Sequence, residues 1–180
     1  LAELGDKTML DAWLPAAQAG LAIGALFVLP YLLFSATSGQ LADKHEKTTL
    51  IRFVKTLEIG IMLLAAWGFY TRSVIVLLAC VFLLGLHSTL FGPVKYAILP
   101  QHLHTDELVG GNALIEAGTF VAILVGTLAG GLLAGSVEHP AWIALGGFIV
   151  AAAGYVISRG IPAAPAPAPD LAVNPNPITE

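Results

Sequence analysis

Charge is what this chain has least of. Asp, Glu, Lys and Arg together make up 11% of its 180 residues, where soluble domains carry about a quarter. That scarcity excludes an ordinary soluble fold. Cysteine is nearly absent too. Cys80 is the single one, so no intrachain disulfide can form, and its place inside an apolar block makes it a small packing residue. Short runs of alternating apolar and polar residues are missing, which argues against a transmembrane β-barrel. No Ser/His/Asp set, phosphate-cradling glycine loop or zinc-ligand spacing occurs. His102 and Asp106 fall one residue short of the His-x4-Asp spacing of glycerolipid acyltransferases. His102 and His104 read as solvated loop residues rather than metal ligands. The chain is therefore expected to be no enzyme, and to use no cofactor, metal or nucleic-acid partner. Leu1 lacks both an initiator Met and a basic signal-like region, so the sequence reads as a piece of a longer protein, truncated at both ends.

What the chain has in excess is apolar side chain: 57% of residues, with a mean hydropathy of +0.83. The excess recurs in blocks of about twenty residues, the length that crosses a hydrocarbon core of roughly 30 Å. The fold class is all-α, a polytopic transmembrane helical bundle. Five spans are expected, at about Gln18–Ser38, Ile51–Tyr70, Ser73–Tyr96, Leu108–Gly135 and Ala141–Ser158. Very short links at Thr71-Arg72 and Ser136–Pro140 make their flanking helices antiparallel neighbours. Residues 1–17 are too polar to span and form an outer loop, which implies at least one helix upstream. Residues 18–160 form the bundle. The segment 161–180, with Pro162, Pro165, Pro167, Pro169, Pro175 and Pro177, favours an extended, semi-rigid linker.

Orientation follows from the basic residues. Lys44, Lys47, Arg52, Lys55, Lys95 and Arg159 fall at one end of the spans, and only Lys7 and Arg72 at the other. The first end is expected to be cytoplasmic, which puts the 39–50 loop and the proline tail on that side. Trp13, Trp67, Tyr70 and Trp142 gather near the opposite interface, where amphipathic rings prefer to lie. Gly118, Ala122, Gly126, Gly130 and Ala134 place a small residue at every fourth position of the fourth span, a stripe that lets another helix approach closely. Pro30 and Gly92-Pro93 predict bends in the first and third spans.

Ionisable groups below the bilayer surface are expensive and are usually retained for function. Glu58 lies roughly 10 Å, and Glu116 roughly 12 Å, inward from the basic end at 1.5 Å per residue. Lys95 sits at that end of the third span, with His87 two turns deeper. All four could line one cavity. Bland readings compete. Lys95 could snorkel to the interface. Glu116 could bond Asn112, one turn away. Glu58 could pair with Lys55 at i−3, and a buried histidine is more often a packing residue than a proton carrier. A lysine beside a glutamate also suits a zwitterionic headgroup, ammonium to phosphate and carboxylate to amine.

Two stretches carry a family resemblance. Gly39-Gln40-Leu41-Ala42-Asp43-Lys44-His45-Glu46-Lys47-Thr48 resembles the loop signature of the major facilitator superfamily, with Glu46 where the signature has its second glycine and Thr48 at the final basic position. The resemblance implies a conformational latch at Gly39, Asp43, Lys44 and Lys47. Phe91-Gly92-Pro93-Val94-Lys95-Tyr96-Ala97-Ile98-Leu99 and Gly111-Asn112-Ala113-Leu114-Ile115-Glu116-Ala117 resemble the lysophospholipid transporter branch of that superfamily. Some members of that branch are fused to an acyltransferase and an acyl-carrier-protein ligase. The likeness covers most of residues 18–159. It implies that the five spans are the family's second to sixth. The function implied is flipping of lysophospholipid, chiefly lysophosphatidylethanolamine, to the cytoplasmic leaflet of a bacterial-type inner membrane for reacylation. Lys95, Glu116, Asn112 and Glu58 would bind substrate. The implied partners are the lipid bilayer, a carboxy-terminal transporter half and an acyltransferase domain. Export of another small molecule, or a membrane domain that only positions a fused acyltransferase, are the alternatives.

Overall fold

The computed structural model describes residues 16–136 and 141–174. Most of the expected outer segment 1–17, including Lys7 and Trp13, and the end of the tail at 175–180 lie outside the described residues. The described chain is helical without a strand. It forms α1 (Ala16–Lys44), α2 (Lys47–Tyr70), α3 (Val74–Ala97), the single turn α4 (Leu99–His102), α5 (Leu108–Ser136) and α6 (Ala141–Ser158). The five long helices fall where the apolar blocks predict them. α1 is longer than its apolar block. It continues through Gly39–Lys44, so the first six residues of the signature segment are helical, and only His45 and Glu46 separate α1 from α2. The short α4, with Pro100 in its first turn, has no signature in the hydropathy pattern.

By length and composition alone, α1, α3 with α4, and α5 can each cross a membrane. α2 carries Arg52, Lys55 and Glu58, and the apolar part of α6 is the shorter stretch Trp142–Ser158. Both still pack lengthwise within the bundle. α3 is central, flanked by α1 and α2, and α6 lies along α2. α5 stands apart, touching α4 and α6 lightly, and no residue of Leu108–Leu133 is buried.

The α2–α3 hairpin closes as a Schellman turn. The Ser73 amide donates to Gly68 O at 3.0 Å and the Arg72 amide to Phe69 O at 3.3 Å. Arg72 takes the left-handed position at φ 52°, one usually given to glycine. Ser73 then caps α3, its hydroxyl accepting from the Val76 amide.

Close helix contact is made at a different glycine from those of the stripe. A Cβ on Gly118, Gly126 or Gly130 would meet nothing within 4 Å. A Cβ on Gly85 of α3 would run into the carbonyl of Phe27, with the Pro30 ring 3.2 Å away. Backbone approaches backbone here, beside Pro30 of α1. Next to this contact the Ser38 hydroxyl donates to Thr89 O at 2.7 Å, and the Thr89 hydroxyl to Gly85 O at 2.8 Å. Both hydroxyls are buried, so each saves an apolar interior from an unpaired polar group. Gly147 plays a similar part between α6 and α2, against Met62.

The described part of the proline-rich segment, 161–174, has no regular secondary structure, turns at Pro169-Asp170 with the Leu171 amide on Ala168 O at 3.1 Å, and is docked. Ala164 is fully buried among Ala42, Ile51, Val94 and Ile98. Glu46 is the N-cap of α2. Its carboxylate accepts from the amides of Thr48 (3.1 Å) and Thr49 (2.6 Å), and from the amide of Ala164 in the tail at 2.8 Å. Partial burial pushes the Glu46 carboxyl up, but the bonds from Thr49, Ala164 and Thr48 outweigh it and hold it at about 2, well below its ordinary 4.5.

Two outcomes follow. Gly85→Val is expected to destabilise the bundle by at least the ~1–3 kcal/mol of an overpacked core, whereas Gly126→Val leaves its melting temperature in detergent unchanged. For Glu46 the folded carboxyl is more acidic than the unfolded one, so its contribution is complete above pH 4.5 and disappears as pH falls toward 2. The stability gap between wild type and Glu46→Ala, about 1 kcal/mol for a lost cap, should therefore close over that interval in parallel thermal melts.

Candidate functional site: the basic end of α3 and α5

α3 carries Lys95 in its last turn, two residues after Pro93, where its side chain reaches α5. The Lys95 ammonium donates to the hydroxyl of Thr119 at 3.2 Å and lies 4.8 Å from the centroid of the Tyr96 ring. Thr119 in turn donates to Ile115 O at 2.8 Å. Glu116 is three residues before Thr119 on α5, the spacing that puts two side chains on one helix face. Lys95 and Glu116 form no ion pair with each other, and neither forms one with any other described residue. Asn112 is exposed and spends its amide on Leu108 O at 2.9 Å, within its own helix, so the Asn112–Glu116 bond does not form.

Glu58 belongs to a second group. Its carboxylate pairs with the Lys55 ammonium at 2.9 Å and lies 3.5 Å from His87 Nε2. The His87 ring stacks on Phe91, with centroids 6.2 Å apart and planes 13° apart. Lys55 Nζ is 4.9 Å from the Phe91 centroid and 3.6 Å from a Cβ placed on Gly154 of α6. The group therefore joins α2, α3 and α6. His87 is buried, and its Nε2 makes no aligned hydrogen bond; the 3.5 Å approach to Glu58 is an ion pair whenever the imidazole is protonated. Local spacing foretells the Lys55–Glu58 pair, but not the cross-helix reach to His87. Phe91 lies one turn from both His87 and Lys95 on α3, and so connects the two groups.

The four signature residues take different positions at the α1–α2 corner. Gly39 and Lys44 are half-buried and the Asp43 side chain is exposed. Lys47 is 2% exposed, and its ammonium has no hydrogen-bond partner among the described residues. The backbone carbonyl of Asp43 accepts from Ala168 in the tail at 3.0 Å. Sequence reasoning missed Thr119 and Glu46. Thr119 was findable as a hydroxyl on the Glu116 face; Glu46 was visible only as a departure from the signature. No group of three or more His, Cys, Asp or Glu that could hold a metal exists among the described residues.

Chemically, the site offers a cation held by a neutral hydroxyl and an aromatic ring and, one turn before that hydroxyl on α5, a carboxylate with no ion-pair partner among the described residues. Each has capacity for an external group of opposite charge. The sequence model described as Major Facilitator Superfamily matches residues 3–178. The lysophospholipid transporter LplT of Pectobacterium carotovorum subsp. carotovorum (strain PC1) is 33% identical over 139 residues, 74% of this chain and 30% of that protein. The LplT of Klebsiella pneumoniae (strain 342) is 34% identical over 158 residues, 86% of this chain and 37% of that protein. The LplT of Enterobacter sp. (strain 638) is 31% identical over 171 residues, 88% of this chain and 40% of that protein. The chain thus spans between three- and four-tenths of the length of these relatives. No solved structure matches. The match over nearly the whole chain, on an all-helical bundle with the signature at the α1–α2 corner, shows that the chain belongs to the major facilitator superfamily.

Proposed function

We propose that this chain is part of a multi-pass transporter that flips lysophospholipid, chiefly lysophosphatidylethanolamine, toward the cytoplasmic leaflet of a bacterial-type inner membrane for reacylation. In this reading the basic end of the bundle, with the α1–α2 corner and the tail, faces the cytoplasm. The five long helices are the family's second to sixth. The observation that carries the proposal is that Lys95, which reaches Thr119 of α5, and Glu116, one turn from Thr119, have no ion-pair partner among the described residues.

An ammonium and a carboxylate that do not neutralise each other cost energy in a low-dielectric setting. A zwitterionic headgroup removes both costs at once. Its phosphate takes the Lys95 ammonium and its amine takes the Glu116 carboxylate. Thr119 holds the lysine side chain extended toward α5, so binding needs no large rearrangement of that side chain. Asn112, one turn toward the basic end, supplies a polar side chain at the mouth. Glu58 is already engaged by Lys55, and in this scheme it fixes α2 against α3 behind the site. The single acyl chain has an apolar path along the exposed face of α5, where Phe120, Ile123 and Leu124 are each more than half exposed. The relatives' printed names agree with this cargo.

Uptake of labelled lysophosphatidylethanolamine into vesicles tests the reading, using the complete transporter that contains this chain. Lys95→Ala should lower uptake at least about tenfold, the size of a lost charge-assisted hydrogen bond of ~1.5–3 kcal/mol, with membrane insertion unchanged. Undiminished uptake in that variant would remove Lys95 from the site. Lack of competition by unlabelled lysolipid would point to a different small molecule.

A further inference from the structure

The tail does more than lead away from α6. It runs back along the corner between α1 and α2 and bonds to it at successive points. Ala164 exchanges both backbone groups with the corner: its carbonyl accepts from the Lys47 amide at 2.9 Å, and its amide donates to Glu46 Oε1 at 2.8 Å. The Thr48 hydroxyl donates to Pro162 O at 2.6 Å, and the Gln101 side chain to Pro165 O at 3.0 Å. The Ala168 amide reaches the carbonyl of Asp43 at 3.0 Å. Further on, Gln40 Oε1 accepts from the Asn174 amide at 2.6 Å.

The composition of the tail suits this duty. Proline has no amide hydrogen, so alternating Ala and Pro leaves few donors to satisfy and keeps the backbone extended at little entropic cost. The prolines offer carbonyls instead: the corner answers Pro162 with the Thr48 hydroxyl, and α4 answers Pro165 with the Gln101 side-chain amide. Register is set at Ala164, whose methyl is fully buried among Ala42, Ile51, Val94 and Ile98. Space for a methyl there is space for nothing larger.

We propose that residues 161–174 are a strap, buckled at Glu46, that sets which charges the signature corner presents. With the strap closed, the Asp43 carboxylate points outward and Lys44 is half-buried, while Lys47, whose own amide is tied to Ala164, is shut in at 2% exposure. Glu46 makes the buckle because its two oxygens serve two purposes: Oε2 caps α2 through Thr49, and Oε1 is shared between Thr48 and the strap. A glycine at this position can do neither. The strap thus replaces a flexible turn with a clasp, and it leaves one basic residue, Lys44, available at the surface beside Asp43. This holds whatever the cargo is.

Amide exchange by NMR on the full chain in lipid nanodiscs, with lysine acylation read by mass spectrometry, tests the strap. In wild type, the amides of Ala164 and Ala168 should exchange at least ten times more slowly than those of Ala163 and Ala166, and Lys44 should acylate while Lys47 does not. Ala164→Asp should remove the protection of Ala168 and raise Lys47 acylation at least tenfold. It should leave the Thr49 amide protected, because Glu46 still caps α2, and that shows the bundle has not simply unfolded. Glu46→Ala should lose protection at Ala164 and Thr49 together. Equal exchange at Ala163 and Ala164 in wild type would overturn the strap. Lys47 remaining unreactive in Ala164→Asp after Ala168 has lost protection would overturn its control of the corner's charge.

Discussion

The cost of an unsatisfied charge in an apolar bundle governs this molecule. With so few ionisable side chains, each has to be paired, placed at an end, or left in need of a partner. Lys55, Glu58 and His87 illustrate the first solution, a group that closes on itself between α2, α3 and α6. Glu46 and Arg52 illustrate the second, as both sit at the basic end, where Glu46 accepts from Ala164 and Arg52 donates to the carbonyls of Arg159 and Ile161. Lys95 also lies at the basic end, where a threonine hydroxyl and a tyrosine ring support it, whereas Glu116 fits neither solution. The two carboxylates within the long helices α2 and α5 therefore differ: Glu58 is paired with Lys55, and Glu116 has no such partner among the described residues.

α3 is where packing and chemistry meet. On one side Gly85 and Thr89 lock it to α1 by close backbone contact and buried hydroxyl bonds. On another, His87 and Phe91 meet the Lys55–Glu58 pair of α2. Its last turn delivers Lys95 to α5. Since α5 has almost no packing of its own in this bundle, the Lys95–Thr119 bond is one of the few links that locate it.

Much of the fold was legible because hydropathy blocks, hairpin links and proline positions are local signals. The spans of α2, α3, α5 and α6 agree with their apolar blocks to within a few residues. The end of α1 was not legible, because Gly39–Lys44 is polar and resembles a loop, yet continues the helix. Which glycine makes the tight contact was equally hidden. A regular stripe on α5 suggests an interface, whereas Gly85 stands alone in sequence and acquires its role only once Phe27 and Pro30 of α1 are brought against it. The i−3 spacing reveals Lys55–Glu58, but His87 joins them from another helix, and no spacing rule spans that distance. For the same reason Lys95 and Glu116 could be nominated from depth, while Thr119 emerged only from the pairing of two helices.

The departure from the superfamily signature at Glu46 has a physical account. A glycine after the turn gives the corner backbone freedom and leaves the first amides of the next helix to be met by other groups. A glutamate gives up that freedom, and in return it caps the helix and captures a neighbouring strand of backbone. Such an exchange stabilises the protein only if the captured segment is already extended and poor in amide donors, because a flexible tail would lose too much entropy on docking. The alternating Ala-Pro sequence from Ile161 onward meets that condition. Glu46 and the proline-rich tail therefore explain each other, and neither is accounted for when the corner is judged against the signature alone.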